Sequence, residues 1–475
     1  MVAIKTGRSE ASRRIVMSHT ASLAGADALI DDLFERAGVA RVESLEELVE
    51  ALKVLHVLGP LPGGRIGAMS TSGGDLTLLG DAMIGTDLSL PPLSEAGAER
   101  VRATVHERIA VANPLDYQMF DWNDAERLSA TFGALIAEGF DVNLCLLDYP
   151  RADRCDPSTW AGAEQGFVEA AGRTGAASGV LSTFTDTLPE SVAERLLEKG
   201  IVPLAGIRTG LAGIQAAVDV GRGWRAEACA PLLEADGTAG PEQATLLDEA
   251  EAKALLRAQG IPVPAGRVVT DLDSAVEAAD AIGYPVAVKV LGLAHKSERG
   301  AVALDLRDSQ AVAAAFTSMA DLGERFLVEA MVQGAVAELI VGVARDAQFG
   351  PHLIVGAGGV LVELIRDSRV LLLPTTAERV GAVLSGLRCA PLLNGFRGRP
   401  RADVAAAARP LLSIADLVER DPSAIIELDV NPLLLLEEGR GGVAADTLLR
   451  LRADAAAGGN DPVSRGAGSP GVSDE

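Results

Sequence analysis

The sequence predicts an α/β protein, with a doubly wound parallel sheet in its first half and a separate α+β domain in its second. Three observations lead there. Between about residues 60 and 225, short apolar strands alternate with amphipathic helices, the pattern of a parallel sheet covered on both faces. Residues 226–244, AEACAPLLEADGTAGPEQA, then lose that periodicity and gain Gly and Pro, as a linker does. Beyond Leu246 the strands become numerous and hairpin-like, with few helices between them.

Taken in order, residues 1–57 open with a strand, Val2 to Lys5, followed by the segment MSHTASLAG that contains His19. Ser22 is a suitable N-cap, and Leu23, Ala26, Ile30, Leu33, Phe34 and Ala37 recur at helical spacing. His19 therefore stands at a helix entrance, where unsatisfied N–H groups and the positive dipole end favour an anion. A second helix opens at Ser44, with Glu47 completing a capping box. One strand and two helices cannot bury a sheet, so this stretch reads as the tail end of a domain with its apolar face open.

From residue 60 the order is RIGAMS, a helix after Ser72-Gly73-Gly74, DVNLCLLDY, a helix near Trp160, GVLSTF, the helix of SVAERLLEKG, IVPLAG, and a helix from about Thr209. In such sheets ligands meet the loops at the carboxyl ends of strands. Two loops stand out, residues 71–74 and the polar turn Asn113-Pro114-Leu115-Asp116. Both are equally compatible with ordinary strand-to-helix turns. In the second half a helix is capped by Asp248 with Glu251, and IPVPAG, another helix and the strand PVAVKVLG follow. Residues 455–475 have the composition of a disordered tail.

Composition bounds the function. At roughly 150 residues per domain, 475 residues suggest about three domains. A formal net charge of -24 without a basic cluster argues against nucleic-acid binding. No apolar run reaches the roughly 18 residues that span a bilayer. The four cysteines lack CxxC spacing, which indicates neither a zinc site nor a disulfide framework, and MVAIKTGRSE lacks a signal pattern. The expected location is the cytoplasm.

Candidate chemistry concentrates where polar residues interrupt apolar strands, because burying them requires partners. Lys289 lies inside PVAVKVLG, where it serves either a salt bridge or a nucleotide phosphate. Glu338 follows in AELIVGVARD, and Gly356, Gly358 and Gly359 in FGPHLIVGAGGVLVE would admit backbone amides close to phosphates. Glu427, Asp429 and Asn431 alternate in IIELDVNPLLLL, hence on one face of a strand, and Asp446 lies in GGVAADTLLRL, expected as a neighbouring strand. Such oxygen ligands suit Mg²⁺.

The order LLDEAEAKALLRAQGIPVP, GYPVAVKV, HKSERGAV, FGPHLIVGAGGVLVE and ELDVNPL resembles the ATP-grasp domain of the NDP-forming acyl-CoA synthetases, which include succinyl-CoA synthetase and the ADP-forming acetyl-CoA synthetases. KTGRSEASRRIVMSHTASLAGAD and ARVESLEELVEAL resemble that family's phosphohistidine segment, and residues 60–225 its second flavodoxin-like CoA-ligase domain. The resemblance implies residues 1–57 as the remnant of a first CoA-ligase domain and 245–454 as ATP-grasp. It implies ATP, Mg²⁺ and CoA as cofactor and cosubstrates, and an acid–thiol ligase that activates a carboxylic acid through phosphohistidine and an acyl phosphate. His19 would be phosphorylated and His295 would ferry the phosphoryl group. Lys289 and Glu329 would contact ATP, and Asn431 and Asp446 would hold Mg²⁺. A separate chain with the CoA-binding domain, in a homo- or hetero-oligomer, is the implied partner. Ala21, Ala301 and Leu371 depart from the family pattern, two in place of Gly and one in place of a basic residue. The competing readings are another ATP-grasp carboxylate ligase and a non-catalytic nucleotide-binding subunit.

Overall fold

The computed structural model describes residues 1–9, 27–227, 229–233, 244–293, 300–359 and 367–453. The chain forms two compact units, Met1–Ala24 with Leu33–Cys229 and Gly25–Asp32 with Ala230–Glu475. The expected tail at 455–475, and the helix entrance at Ser22, Leu23 and Ala26, lie outside the described residues.

In the first unit, β1 (Val2–Ile4) pairs in parallel with β2 (Ala40–Val42). The next five strands are β3 (Ile66–Ser70), β4 (Leu115–Asp116), β5 (Val142–Leu146), β6 (Ser178–Ser182) and β7 (Val202–Ala205). They form one all-parallel sheet in the order β4-β3-β5-β6-β7. Read in chain order this is 2-1-3-4-5, the flavodoxin-like form of the doubly wound fold. Alternation along the strands loads both faces. Met69, Cys145 and Val180 pack with Phe132 and Phe167 on one side, while Ala68, Leu144, Leu181 and Leu204 pack with Leu79 and Ile214 on the other.

Several expectations need correction here. Residues 1–57 supply two strands, because Ala40–Val42 pairs with β1. Part of their apolar surface is covered rather than open, although Leu45, Val49 and Leu52 stay exposed. Ala40, Val42 and Ala51 bury against Ala216 and Val220 of the helix Ile207–Arg225, which begins two residues before Thr209. A Cβ on Gly213 would stand 2.8 Å from the Glu50 carbonyl carbon, so glycine there lets this helix approach the helix Leu45–Val57. The Asn113–Asp116 stretch is not simply a turn, since Leu115–Asp116 joins the sheet as β4. Asn113 is buried, donates to the Ile66 and Pro91 carbonyls at 2.8 Å each, and accepts the Ala68 N–H at 3.0 Å. Its polar atoms are thus committed to backbone. The helix after Ser72 is as expected, Gly73–Ala82, with Ser72 Oγ accepting the Asp75 N–H.

The second unit contains β8 (Ala244–Leu247), β9 (Gly266–Val269), β10 (Val286–Val290), β11 (Val302–Leu306), β12 (Phe326–Ala330), β13 (Ala337–Asp346), β14 (Gly350–Ala357), β15 (Ser368–Leu372), β16 (Ile425–Leu435), β17 (Gly442–Ala444) and β18 (Thr447–Arg452). A four-stranded antiparallel sheet, β11-β10-β12-β9, carries the helices Leu272–Ile282 and Ser309–Met319 through a core of Val286, Val288, Val290, Ala278 and Phe316. A larger antiparallel sheet runs β15-β14-β13-β16-β18-β8, with β17 on β16. The helix Val404–Arg420 packs Leu411, Ile414 and Val418 into its core. Leu371 is fully buried in that core, so an apolar residue there has a packing reason. Asp32, also buried, accepts the Leu372 N–H at 2.9 Å and pairs with Arg379. Asp446 is not within a strand as expected, but in the connection between β17 and β18. Among the described residues no helix is long and apolar enough to cross a membrane.

Candidate functional site

Strand alternation in β10 turns Val286, Val288 and Val290 into the helix-covered core and leaves Ala287 and Lys289 on the opposite face. There Lys289 meets the helix Glu249–Ala258, which starts on a complete Asp248–Glu251 capping box. Lys289 Nζ lies 2.6 Å from Glu249 Oε1 and 2.7 Å from Glu329 Oε1, and donates to the Ala445 carbonyl at 3.0 Å. Lys253, one turn after Glu249, lies 2.8 Å from Glu249 Oε1 and 2.5 Å from Glu329 Oε2, and donates to the same carbonyl at 2.8 Å. No side chain of the four is more than 6% exposed. Burial opposes the charge on Lys289, yet Glu249, Glu329 and Asp446 outweigh it and hold its ammonium above the usual lysine value.

Asp446 borders this group. Its Oδ1 accepts the Thr447 N–H at 2.8 Å, and its carbonyl accepts the Asn431 N–H at 3.1 Å. Burial first, then the charges of Glu427 and Asp446, raise the Asp429 carboxyl above its usual range. Negative charge concentrated at one end of β16 fits a divalent cation with oxygen ligands. Among the described residues no set of three His, Cys, Asp or Glu could hold a metal ion alone.

Glu338 and the three glycines gather where the start of β13 pairs with the end of β14. The Gly358 N–H donates to the Glu338 carbonyl at 2.7 Å. A Cβ on Gly356 would stand 2.8 Å from the Asp367 carbonyl oxygen, and one on Gly358 2.8 Å from the Glu338 carbonyl carbon. Both glycines thus have a steric reason that involves no ligand. Gly359 has φ +91, and a Cβ there would stand 3.0 Å from Glu338 Oε2.

Of the residues singled out from the sequence, the structure brings Lys289, Glu329 and Asp446 together, with Asn431 joined through backbone. His19 and His295 lie outside the described residues, as does Ala21. Ala301 is fully buried against the β10 core. Glu249 and Lys253 were missed. Their signal was present: positions 249, 252, 253 and 256 share one helical face, so two charges sit on the stripe that carries Ala252 and Leu256.

In the first unit a cleft of about 680 Å³ opens, lined by residues that include Tyr149, Trp160, Val168, Val192, Arg195 and Lys199. At its wall Glu164 accepts the Tyr149 hydroxyl at 2.9 Å and pairs with Arg195 at 3.1 Å. Its lining includes neither residues 71–74 nor 113–116, the loops expected to shape a pocket.

Residues 238–451 match a family described as an ATP-grasp domain, and residues 1–55 match a succinyl-CoA ligase like flavodoxin domain. Across 94% of its length the chain is 28% identical to a trans-feruloyl-CoA synthase of an unknown prokaryotic organism and spans 64% of it. It is likewise 28% identical, over 92% of its length, to ADP-forming acetate–CoA ligase I of Archaeoglobus fulgidus, again spanning 64% of that relative. The beta subunit of ADP-forming acetate–CoA ligase II from Pyrococcus furiosus is 31% identical over 44% of this chain and 92% of that subunit.

Proposed function

The chain belongs to the family of ADP-forming acyl-CoA synthetases, and from that premise we propose that it carries the phosphohistidine and nucleotide-binding portions of an ATP-dependent acid–thiol ligase. The observation that most supports this reading is the buried pairing of Lys289 with Glu329 beside Asp446, inside the stretch that matches ATP-grasp. A lysine held charged in a dry setting is a strong phosphate partner.

In this proposal Lys289 and Glu329 contact ATP, while Asn431 and Asp446 hold Mg²⁺, which when bound neutralises phosphate charge. A ring nitrogen of His295 attacks the γ-phosphorus and ADP leaves; a ring nitrogen of His19 then takes the phosphoryl group from His295, which returns to neutral imidazole. The phosphoryl group then passes to a carboxylate oxygen of the acid, giving an acyl phosphate and restoring neutral His19. The CoA thiolate attacks the acyl carbon and inorganic phosphate leaves. His295 carries the phosphoryl group between the nucleotide site and His19. Because phosphoryl transfer depends on positioning and charge neutralisation, lysines, carboxylates and histidines suffice.

The chain spans 64% of the length of two of these relatives. A separate chain bearing a CoA-binding domain is the partner proposed, because similar ligases are made of separate alpha and beta subunits. The helix Leu45–Val57 supports this, since Leu45, Val49 and Leu52 are exposed at i, i+4 and i+7, one apolar stripe left uncovered. The test is incubation with Mg-ATP, a panel of carboxylic acids and hydroxylamine, which traps acyl phosphate without CoA. Hydroxamate formed together with ADP is the expected result. AMP as the nucleotide product would contradict the phosphohistidine route, and no hydroxamate with any acid would favour a nucleotide-binding subunit.

A further inference from the structure

We propose that Lys253 is a positioning residue, one that takes over the carboxylates of Glu249 and Glu329 when Lys289 turns from them to a nucleotide phosphate. This rests on the reading of Lys289 as an ATP contact.

The geometry that carries it is a duplication. A lysine ammonium has three N–H donors. Lys289 spends all three on Glu249 Oε1 at 2.6 Å, Glu329 Oε1 at 2.7 Å and the Ala445 carbonyl at 3.0 Å. Lys253 reaches Glu249 Oε1 at 2.8 Å, Glu329 Oε2 at 2.5 Å and the same carbonyl at 2.8 Å. Two cations therefore hold the same three groups, Glu249, Glu329 and the Ala445 carbonyl. Lys289 has no donor left for a phosphate and must release at least one partner to engage it. In a site this buried, a carboxylate abandoned without a cation is strongly unfavourable. With Lys253 in place neither carboxylate is abandoned, because each already has its second lysine. Two neighbouring ammonium groups also repel, and moving Lys289 toward an anionic phosphate relieves that repulsion. Lys289 is thus the mobile cation and Lys253 the fixed one.

The test uses the full chain and measures Mg-ATP binding by calorimetry alongside thermal unfolding. Lys253→Met should weaken binding at least about tenfold and lower the unfolding temperature, since one lysine then faces two buried carboxylates. Lys253→Arg, which keeps the charge, should bind within about threefold of the parent. The deciding variant is the double Lys253→Met, Glu249→Gln, which returns the group to one cation and one anion. Its unfolding temperature should recover while binding stays about tenfold weak, because Glu329 is still stranded when Lys289 leaves. Affinity that recovers together with stability would overturn the proposal, reducing Lys253 to charge balance. So would a double variant as unstable as the single one, a Lys253→Met protein that binds Mg-ATP like the parent, or a Lys253→Arg protein as weak as Lys253→Met. Lys289→Met separates the two levels: if it binds Mg-ATP as the parent does, the nucleotide assignment fails rather than the role of Lys253.

Discussion

Lys289 stood out because a charge inside an apolar strand has few explanations, whereas Glu329 entered only through the family resemblance. The lysine is in a salt bridge, and that salt bridge borders the oxygen-rich end of β16. Glu249 and Lys253 escaped notice because a charged first turn looks like ordinary capping and solvation; only packing across 192 residues, from Lys253 to Ala445, reveals them. Asp446 was placed in a strand because apolar neighbours flank it, whereas its position between β17 and β18 frees its backbone carbonyl for Asn431. Asp446→Ala should raise the Mg²⁺ concentration needed for half-maximal ADP formation, by about tenfold for one lost hard ligand. An unchanged Mg²⁺ requirement would make Asp446 a structural residue. His295→Ala should abolish labelling of His19 from ATP while Mg-ATP still binds; undiminished labelling would remove His295 from the route. His352 in β14 offers a pH test. Burial, opposed by the Gly350 carbonyl and Asp346, lowers its imidazole below the usual value. The unfolded chain then takes up a proton where the folded chain does not. Stability is full above about pH 6.5 and falls as the pH drops toward the folded value. The denaturation midpoint of the parent should therefore fall more on acidification than that of His352→Leu, and parallel curves would contradict this.

At the scale of elements, the alternation of strands and helices from 60 to 225 was legible because buried parallel strands are apolar on both faces and their helices are periodic. β2 was not, since three residues set no periodicity and its partner β1 lies 38 residues away. The same holds for β4, whose two residues resemble a turn until Met69 and Ser70 are seen beside them. The consequence for residues 1–57 is that their helix Leu45–Val57 has two faces with different fates. One packs on the helix Ile207–Arg225 through the gap at Gly213. Gly213→Ala should force the two helices apart and destabilise the first unit by about 1–3 kcal/mol, read from urea unfolding. A change within error would mean that the contact relaxes without loss. The other face carries Leu45, Val49 and Leu52. Val49→Glu with Leu52→Glu should weaken association with a CoA-binding-domain chain and leave labelling of His19 unchanged; equal association would place the interface elsewhere.

For the whole molecule, composition and element order gave an α/β chain of two architectures, and the structure has a doubly wound sheet in one unit and antiparallel sheets in the other. What the sequence could not convey is the grouping of the chain itself, in which Gly25–Asp32 belongs with the second unit although its neighbours on both sides belong with the first. Within it Asp32 meets Arg379 and Leu372, the latter contact spanning 340 residues. If the proposed partner supplies CoA binding, adding a chain with a CoA-binding domain should raise thioester synthesis; equal synthesis with and without it would contradict that partner. The central claim is that His19 receives the γ-phosphoryl group of ATP. It is tested most directly by incubating the chain with Mg-ATP labelled in the γ-phosphate and mapping the label. The account predicts an acid-labile, base-stable phosphoryl group on His19, lost in His19→Asn and in Lys289→Met. Acid-stable label, label at another residue, or none at all while Mg-ATP is bound would contradict it.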